Sequence, residues 1–320
     1  MGAVIELDHV EKTFVVRRRA GRLRRTRTEV RAVDDVSFEI PAGSMCGYIG
    51  PNGAGKSTTI KMLIGILVPS GGRVTVDGRD PSRDRTAVAR RIGVVFGQRT
   101  QLWWDLPLRD SFALLRHVYR VPAAEHATRQ AELVELLEMG DFLATPVRQL
   151  SLGQRMRGEL AAALLHDPAI LFLDEPTIGL DIVSKEAVRG FLARTNRERG
   201  TTVLLTTHDL VDVERLCDRL LIIDHGRVIE DATVEAVKDR YSGERTLVVD
   251  LEVPGEPLEV PGARVTKVDG PRQWLRFHRD HHTASSLLAE VTAQAPVRDI
   301  ALEEPAIEDI VRRIYSRPPA

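Results

Sequence analysis

GPNGAGKST, residues Gly50 to Thr58, is the stretch on which the reading turns. It fits the pattern G-x-x-x-x-G-K-[ST], with Gly50, Gly55, Lys56 and Ser57 at the fixed places. The run before it, MCGYI at 45–49, is short and apolar like a buried strand. The run after it, TTIKMLIGIL, carries its apolar residues at helical spacing. Strand, glycine-rich loop and helix start therefore follow one another. Glycines let the backbone curl until successive N–H groups face one anion, and the helix start adds its positive dipole end. The whole stretch (Gly50, Pro51, Asn52, Gly53, Ala54, Gly55, Lys56, Ser57 and Thr58) is expected to cradle a nucleotide's phosphates. Lys56 would reach the β- and γ-phosphates, and Ser57 would offer its hydroxyl to Mg²⁺.

At 320 residues the chain has room for two domains, or for one large domain with an appendage. Its 45 Lys and Arg against 46 Asp and Glu give no whole-chain argument for nucleic acid. Cys46 and Cys217 are far apart, which suits a reducing compartment and argues against a disulfide scaffold. The beginning, MGAVIELDHVEKTF, is charged within a few residues and does not look like a secretory leader. No apolar run approaches the ~18–20 residues that span a bilayer, so a soluble cytoplasmic polypeptide is expected.

AVIELDHVEKTFV, residues 3–15, alternates like an edge strand, and AVDDVSFEI resumes a strand before the phosphate loop. Between them lie arginines at 17, 18, 19, 22, 24, 25, 27 and 31. They are expected to form a solvated loop, or a basic loop near an anionic lipid surface. GRVTVD at 72–77 reads as a strand, and the pattern turns helical from about 107 to 166. AILFL at 169–173 and TVLLT at 202–206 suit central strands of a parallel sheet, and LLIIDHGRVIED at 220–231 a strand pair. After about residue 243, alternating segments and two closing helices suggest a small α+β appendage without recognisable chemistry. His278, His281 and His282 lack partners at metal-ligand spacing and read as surface histidines.

The apolar strand ILFLD ends in Asp174-Glu175, which puts two carboxylates beside a phosphate site. Asp174 would hold Mg²⁺, directly or through water, and Glu175 could polarise the attacking water.

LSLGQ at 150–154 resembles the signature motif of ABC ATPases, usually LSGGQ, with Ser151, Gly153 and Gln154 retained and Leu152 in place of glycine. In that family the motif opens a helix that contacts the γ-phosphate held by the other subunit's loop. The resemblance implies that Leu152 points away from the phosphate. Gln98 in VVFGQ matches the glutamine loop, a Mg²⁺ ligand in the family, and His208 in LLTTHD matches the switch histidine. Asp181 in PTIGLD matches the loop that lies across the dimer seam, and Phe14 sits where an aromatic stacks on adenine. Glu175, His208 and Lys56 take the catalytic places, and Ser57, Gln98 and Asp174 those of the metal ligands. The chain is most similar to the ATP-binding subunit of ABC type-2 exporters, through GVVFGQRTQLWWDLP, SLGQRMR, DEPTIGLD and EEPAIEDIVRRIY.

The resemblance implies an α/β fold, a P-loop NTPase of the ABC ATPase kind. It would have a RecA-like core with a parallel sheet, an antiparallel β subdomain and a helical signature subdomain at about 100–166. This ATPase domain is expected over residues 4–240, with the α+β accessory domain over 244–316. The implied cofactors are ATP and Mg²⁺. The implied partners are separately encoded transmembrane permease subunits and a second ABC ATPase, as a homodimer or heterodimer, at the cytoplasmic face of the membrane, with no nucleic acid. Trp103-Trp104 either packs against the helical subdomain or lines the groove that receives the permease. The competing class is a soluble ABC ATPase acting on nucleic acid or ribosomes, favoured only by the arginine run. The transported substrate has no signature in this chain.

Overall fold

The computed structural model describes residues 2–19, 25–97, 99–241, 243–278, 280–304 and 306–316, the side chains of 17–19 and 25–27 excepted. The backbone divides into two compact units, Met1–Ala232 and Thr233–Ala320.

The first unit opens with a long antiparallel hairpin, β1 (Ala3–Arg19) and β2 (Arg25–Pro41). Next come β3 (Met45–Ile49), α1 (Lys56–Leu63), β4 (Gly71–Val76), α2 (Arg85–Ala89) and β5 (Ile92–Phe96). Three helices follow: α3 (Leu108–Tyr119), α4 (Ala123–Leu136) and α5 (Leu152–Leu164). The unit then alternates β6 (Ile170–Asp174), α6 (Ile182–Arg199), β7 (Thr202–Thr206), α7 (Leu210–Leu216) and β8 (Arg219–Asp224), and closes on β9 (Arg227–Thr233).

Two sheets result. The antiparallel one runs β2-β1-β4, and the larger runs β5-β6-β7-β3-β8-β9. In the larger sheet β5, β6, β7, β3 and β8 are parallel. Every residue of β3 and β7 is buried, which is why these strands read as unbroken apolar runs rather than alternating ones. Ile5 and Phe38 from one sheet, Tyr48, Phe172 and Leu204 from the other, and Ile60 and Leu63 of α1 share one core. The region expected to be helical holds α3, α4 and α5. Leu108, Phe112 and Leu115 bury one stripe of α3, as their spacing dictates.

The arginine-rich segment differs from the loop expected of it. Strand pairing continues out to Arg19 opposite Arg25, so residues 17–19 and 25–31 are strand. Backbone pairing that already joins Phe14 to Val30 and Val16 to Thr28 is simply propagated.

The second unit holds α8 (Val234–Tyr241), β10 (Glu244–Leu251), β11 (Ala263–Asp269), β12 (Arg272–His278), α9 (Ala284–Gln294), β13 (Val297–Glu303) and α10 (Ile307–Tyr315). Its antiparallel sheet runs β11-β12-β10-β13, with Leu247, Val249, Leu275 and Phe277 packed on Leu287 and Val291 of α9. The unit begins earlier than the 244 expected for the accessory domain. The helix 234–241 packs on α10, whose Ile307, Ile310, Val311 and Ile314 form one buried stripe. Edge strand β13, exposed along almost its whole length, has no alternation that a sequence pattern could reveal. Among the described residues no helix is long and apolar enough to cross a membrane.

Candidate active site

The loop 50–55 leaves β3 and enters α1 at a place that tolerates no β-carbon. One built on Gly50 would lie 2.3 Å from the Ile223 carbonyl oxygen, and one on Gly55 2.4 Å from that of Ala32. Gly55 also has φ +113°, a conformation that favours glycine, and is the N-cap of α1 with no side-chain cap. The first amides of α1 are thus left without a side-chain acceptor. Lys56 folds its ammonium over the loop, donating to Gly50 O at 2.5 Å and Pro51 O at 3.1 Å. Burial lowers the pKa of that ammonium, and the nearby Glu175 and Asp174 carboxylates oppose the shift.

Strand register brings the acidic residues to the same place. Phe96 of β5, Asp174 of β6 and Thr206 of β7 are aligned neighbours at the carboxyl ends of their strands. Gly97 N donates to Asp174 O at 2.7 Å and Glu175 N to Thr206 O at 2.9 Å, so the first residues beyond the strands stay in step. Thr206 Oγ1 donates to Asp174 Oδ1 at 2.6 Å. Glu175 has φ +58°, an uncommon conformation for a side-chain-bearing residue and one often found at functional positions. Its carboxylate accepts from His208 N at 3.2 Å and lies 3.2 Å from His208 Nε2. Burial pushes the Glu175 pKa above its ordinary value, against the field of His208.

These groups surround one cleft of about 420 Å³. Its lining includes Asn52, Gly53, Gly55, Lys56, Ser57, Thr58, Asp174, Glu175 and His208. Pro51 and Ala54 shape the loop from behind: Ala54 N donates to Pro51 O at 3.1 Å and Ala54 O accepts from Gly226 N at 2.9 Å. Phe14 does not line the cleft. It pairs with Val30 across the hairpin, with the Lys12 ammonium 5.3 Å from its ring centre, and Ala32 forms the wall nearby. Gln98 lies outside the described residues.

The signature residues occupy another place on the same unit. Ser151 caps α5: its hydroxyl accepts from Gln154 N at 3.2 Å, and Gln154 Oε1 accepts from Ser151 N at 2.9 Å. A β-carbon on Gly153 would stand 2.7 Å from Ser184 Oγ. The Leu152 side chain turns to the loop 177–181, with Cδ2 2.8 Å from where a β-carbon of Gly179 would sit. Asp181 caps α6 by accepting from Ser184 N and Ser184 Oγ, each at 2.8 Å. None of Ser151, Gly153, Gln154 and Asp181 lines the cleft of its own chain.

The profile of the family "ABC transporter" matches residues 33–178. The daunorubicin/doxorubicin resistance ATP-binding protein DrrA of Streptomyces peucetius is 34% identical over 305 residues, 90% of this chain and 89% of that protein. The chain belongs to the ABC transporter ATP-binding proteins. Nod factor export ATP-binding protein I of Rhizobium leguminosarum bv. viciae is 37% identical, over 89% of this chain and 90% of its own. The methionine import ATP-binding protein MetN of Latilactobacillus sakei subsp. sakei is 33% identical over 96% of this chain and 89% of its own. Among solved structures, a dimeric ATP-binding cassette in a post-hydrolysis state, bound to ADP and Pi, superposes with a TM-score of 0.62 at 28% identity. The match covers 72% of this chain and 98% of that one. The chain is therefore an ATP-binding, ATP-hydrolysing subunit that powers transport.

Residues that carry no motif form a polar network next to the site. Asp212, fully buried, accepts from Thr177 Oγ1 at 2.5 Å, Thr207 Oγ1 at 3.3 Å and Arg189 Nε at 2.6 Å. Lys185 and Arg189 also pair with Asp209, at 2.6 and 3.5 Å. This network ties the loops after β6 and β7, which carry Glu175 and His208, to α6 and α7. The only signal for it in the sequence is the polar run TTHDLVD closing an apolar strand. Trp103 and Trp104 are 40% and 48% exposed, so neither is spent on filling the helical region's core.

Proposed function

We propose that this chain is the ATPase of an exporter, working as one of two ATPases on separately encoded membrane permease subunits. The observation that carries its ATPase chemistry is the convergence of Lys56, Asp174, Glu175 and His208 on one cleft at the strand ends. Residues 50–58 hold the phosphates, with the unfilled amide donors of α1 aimed at them. Glu175 takes the proton of the attacking water, and burial raises its carboxylate's affinity for that proton. Lys56 and His208 stabilise charge on the transferred phosphoryl group.

The donor set suits Mg²⁺. Ser57 and Asp174 offer hard oxygens on one cleft, and the Thr206 bond occupies only one of the two Asp174 oxygens. When bound, the ion would neutralise phosphate charge, with Gln98 as a further ligand. Because Ser151, Gly153, Gln154 and Asp181 stand away from their own cleft, they serve that of a second ATPase, in a homodimer or a heterodimer. ATP then joins the two and hydrolysis parts them. Exposed Trp103-Trp104 offers aromatic anchors to the permease, which would hold the ATPase at the cytoplasmic face of the membrane.

Export rests on relatives whose names are of drug resistance and Nod factor export. The test is co-expression with membrane subunits, purification in detergent and reconstitution into vesicles. Outward, ATP-dependent movement of a compound that stimulates the ATPase is expected. Uptake instead, as the methionine-import relative's name would suggest, overturns export. Failure of any membrane subunit to co-purify, with stimulation by nucleic acid or ribosomes, overturns transport.

A further inference from the structure

We propose that Glu159 is a positioning residue, coupling the segment that leaves the nucleotide cleft to the helix that closes on a second ATPase. The inference rests on the ATPase reading above and adds a connection within it. Glu159 lies in α5 and is 3% exposed. Its neighbours Leu160, Ala161, Ala162 and Ala163 are all buried and apolar, so an acidic side chain is out of place for packing alone. Its direct partners are neutral. Thr100 Oγ1 donates to one carboxylate oxygen, and Gln101 N donates to the other at 3.2 Å. Gln101 Nε2 returns to the Glu159 carbonyl at 3.3 Å and to Val94 O of β5 at 3.4 Å.

Position makes this clamp more than an anchor. Gly97 and Arg99 line the cleft, Thr100 and Gln101 are held by Glu159, and Trp103-Trp104 is exposed just beyond. From the N-cap Ser151 into α5, Arg155 and Glu159 follow at i+4 and i+8 along one face, a distance of ~12 Å. Arg155 stands over Trp104 at 5.8 Å from the ring centre. One helix face therefore joins the signature cap, the aromatic pair and the segment beside the cleft. Burying a carboxylate against neutral donors is a costly way to stabilise a core. It does fix one register of the segment on the helix, because each oxygen has its own donor.

The full chain carrying Trp274→Phe tests this, since only Trp103 and Trp104 then report. Tryptophan emission is followed as ATP is added, and affinity is read separately with a fluorescent ATP analogue. Glu159→Ala is expected to keep nucleotide affinity within about twofold while the ATP-induced emission change falls about fivefold or more. Glu159→Gln is expected to keep the response, because its amide can accept from Gln101 N and donate to Thr100 Oγ1. Thr100→Val, which removes the clamp from the other side, should behave like Glu159→Ala and guards against a helix defect. A full response in both Glu159→Ala and Thr100→Val overturns the coupling, as does loss of response in Glu159→Gln. A parent chain that binds and hydrolyses ATP without any emission change overturns it too, leaving the ATPase reading intact. A parent chain that binds no nucleotide fails the ATPase reading itself, and the coupling with it.

Discussion

Two helices of this ATPase begin at loops that meet phosphate in the proposed function, and they are finished in opposite ways. Helix α1 starts at Gly55 in a left-handed conformation with no side-chain cap. Helix α5 starts at Ser151 with a reciprocal cap, in which Ser151 and Gln154 satisfy each other's backbone amides. In α1 no side chain caps the first donors, whereas in α5 the Ser151 hydroxyl takes the amide of Gln154. The first wall is complete in one chain. The second is a helix end held by its own reciprocal cap and standing away from the cleft of its own chain. Because only the first wall lines the cleft of its own chain, nucleotide is expected to bind one chain first and the pairing of two chains to follow.

The largest expected effect lies between the walls, where the chemistry is done. Glu175→Gln should lower phosphate release by about 10²–10³-fold while an ATP-bound pair accumulates on size-exclusion chromatography. Wild-type-like turnover in that variant would sink the assignment of the base. The wild-type pH profile sharpens the same point. The base works ionised and burial raises its pKa. Activity should therefore fall as pH drops through a value above the ordinary carboxylate range. An acidic limb within the ordinary range would contradict the buried environment.

Lys56→Ala should weaken ATP binding by a single chain on the order of 10–100-fold, as expected for losing a charged donor to phosphate. Ser151→Ala is the counterpart on the other wall. Its single-chain affinity should shift by less than about twofold, its stability by about 1 kcal/mol, and ATP-driven pairing should weaken. Equal losses of single-chain affinity in the two variants would erase the distinction between the walls. Leu152→Gly should have the smallest effect. It restores the usual signature residue, gives up the contact with Gly179, and should cost about 1 kcal/mol in urea unfolding with ATP affinity unchanged. A stabilised protein would mean that the leucine is strained against that loop.

The sequence by itself determined the phosphate loop, the carboxylate pair after β6, the histidine after β7 and the capped signature helix. Each is a local pattern: a turn that needs glycine, an apolar strand ending in polar residues, or a serine three residues before its partner glutamine. Such patterns are written along a few consecutive residues, so they can be read without knowing what lies opposite. The order of the motifs carried the family and with it the sheet.

Only the tertiary structure decided what these residues meet. Parallel register, not sequence distance, sets Asp174 between Phe96 and Thr206. In the other sheet, the antiparallel register of the β1–β2 hairpin carries Phe14 to a position opposite Val30, and Ala32 is left on the cleft. Burial singles out Asp212 and Glu159, each an ordinary acid in the sequence, as the centres of hydrogen-bond networks. Packing on α10 assigns the helix 234–241 to the second unit. The common reason is that a carboxylate's partners and its cost of desolvation come from segments distant along the chain, and they exist only once those segments have been brought together.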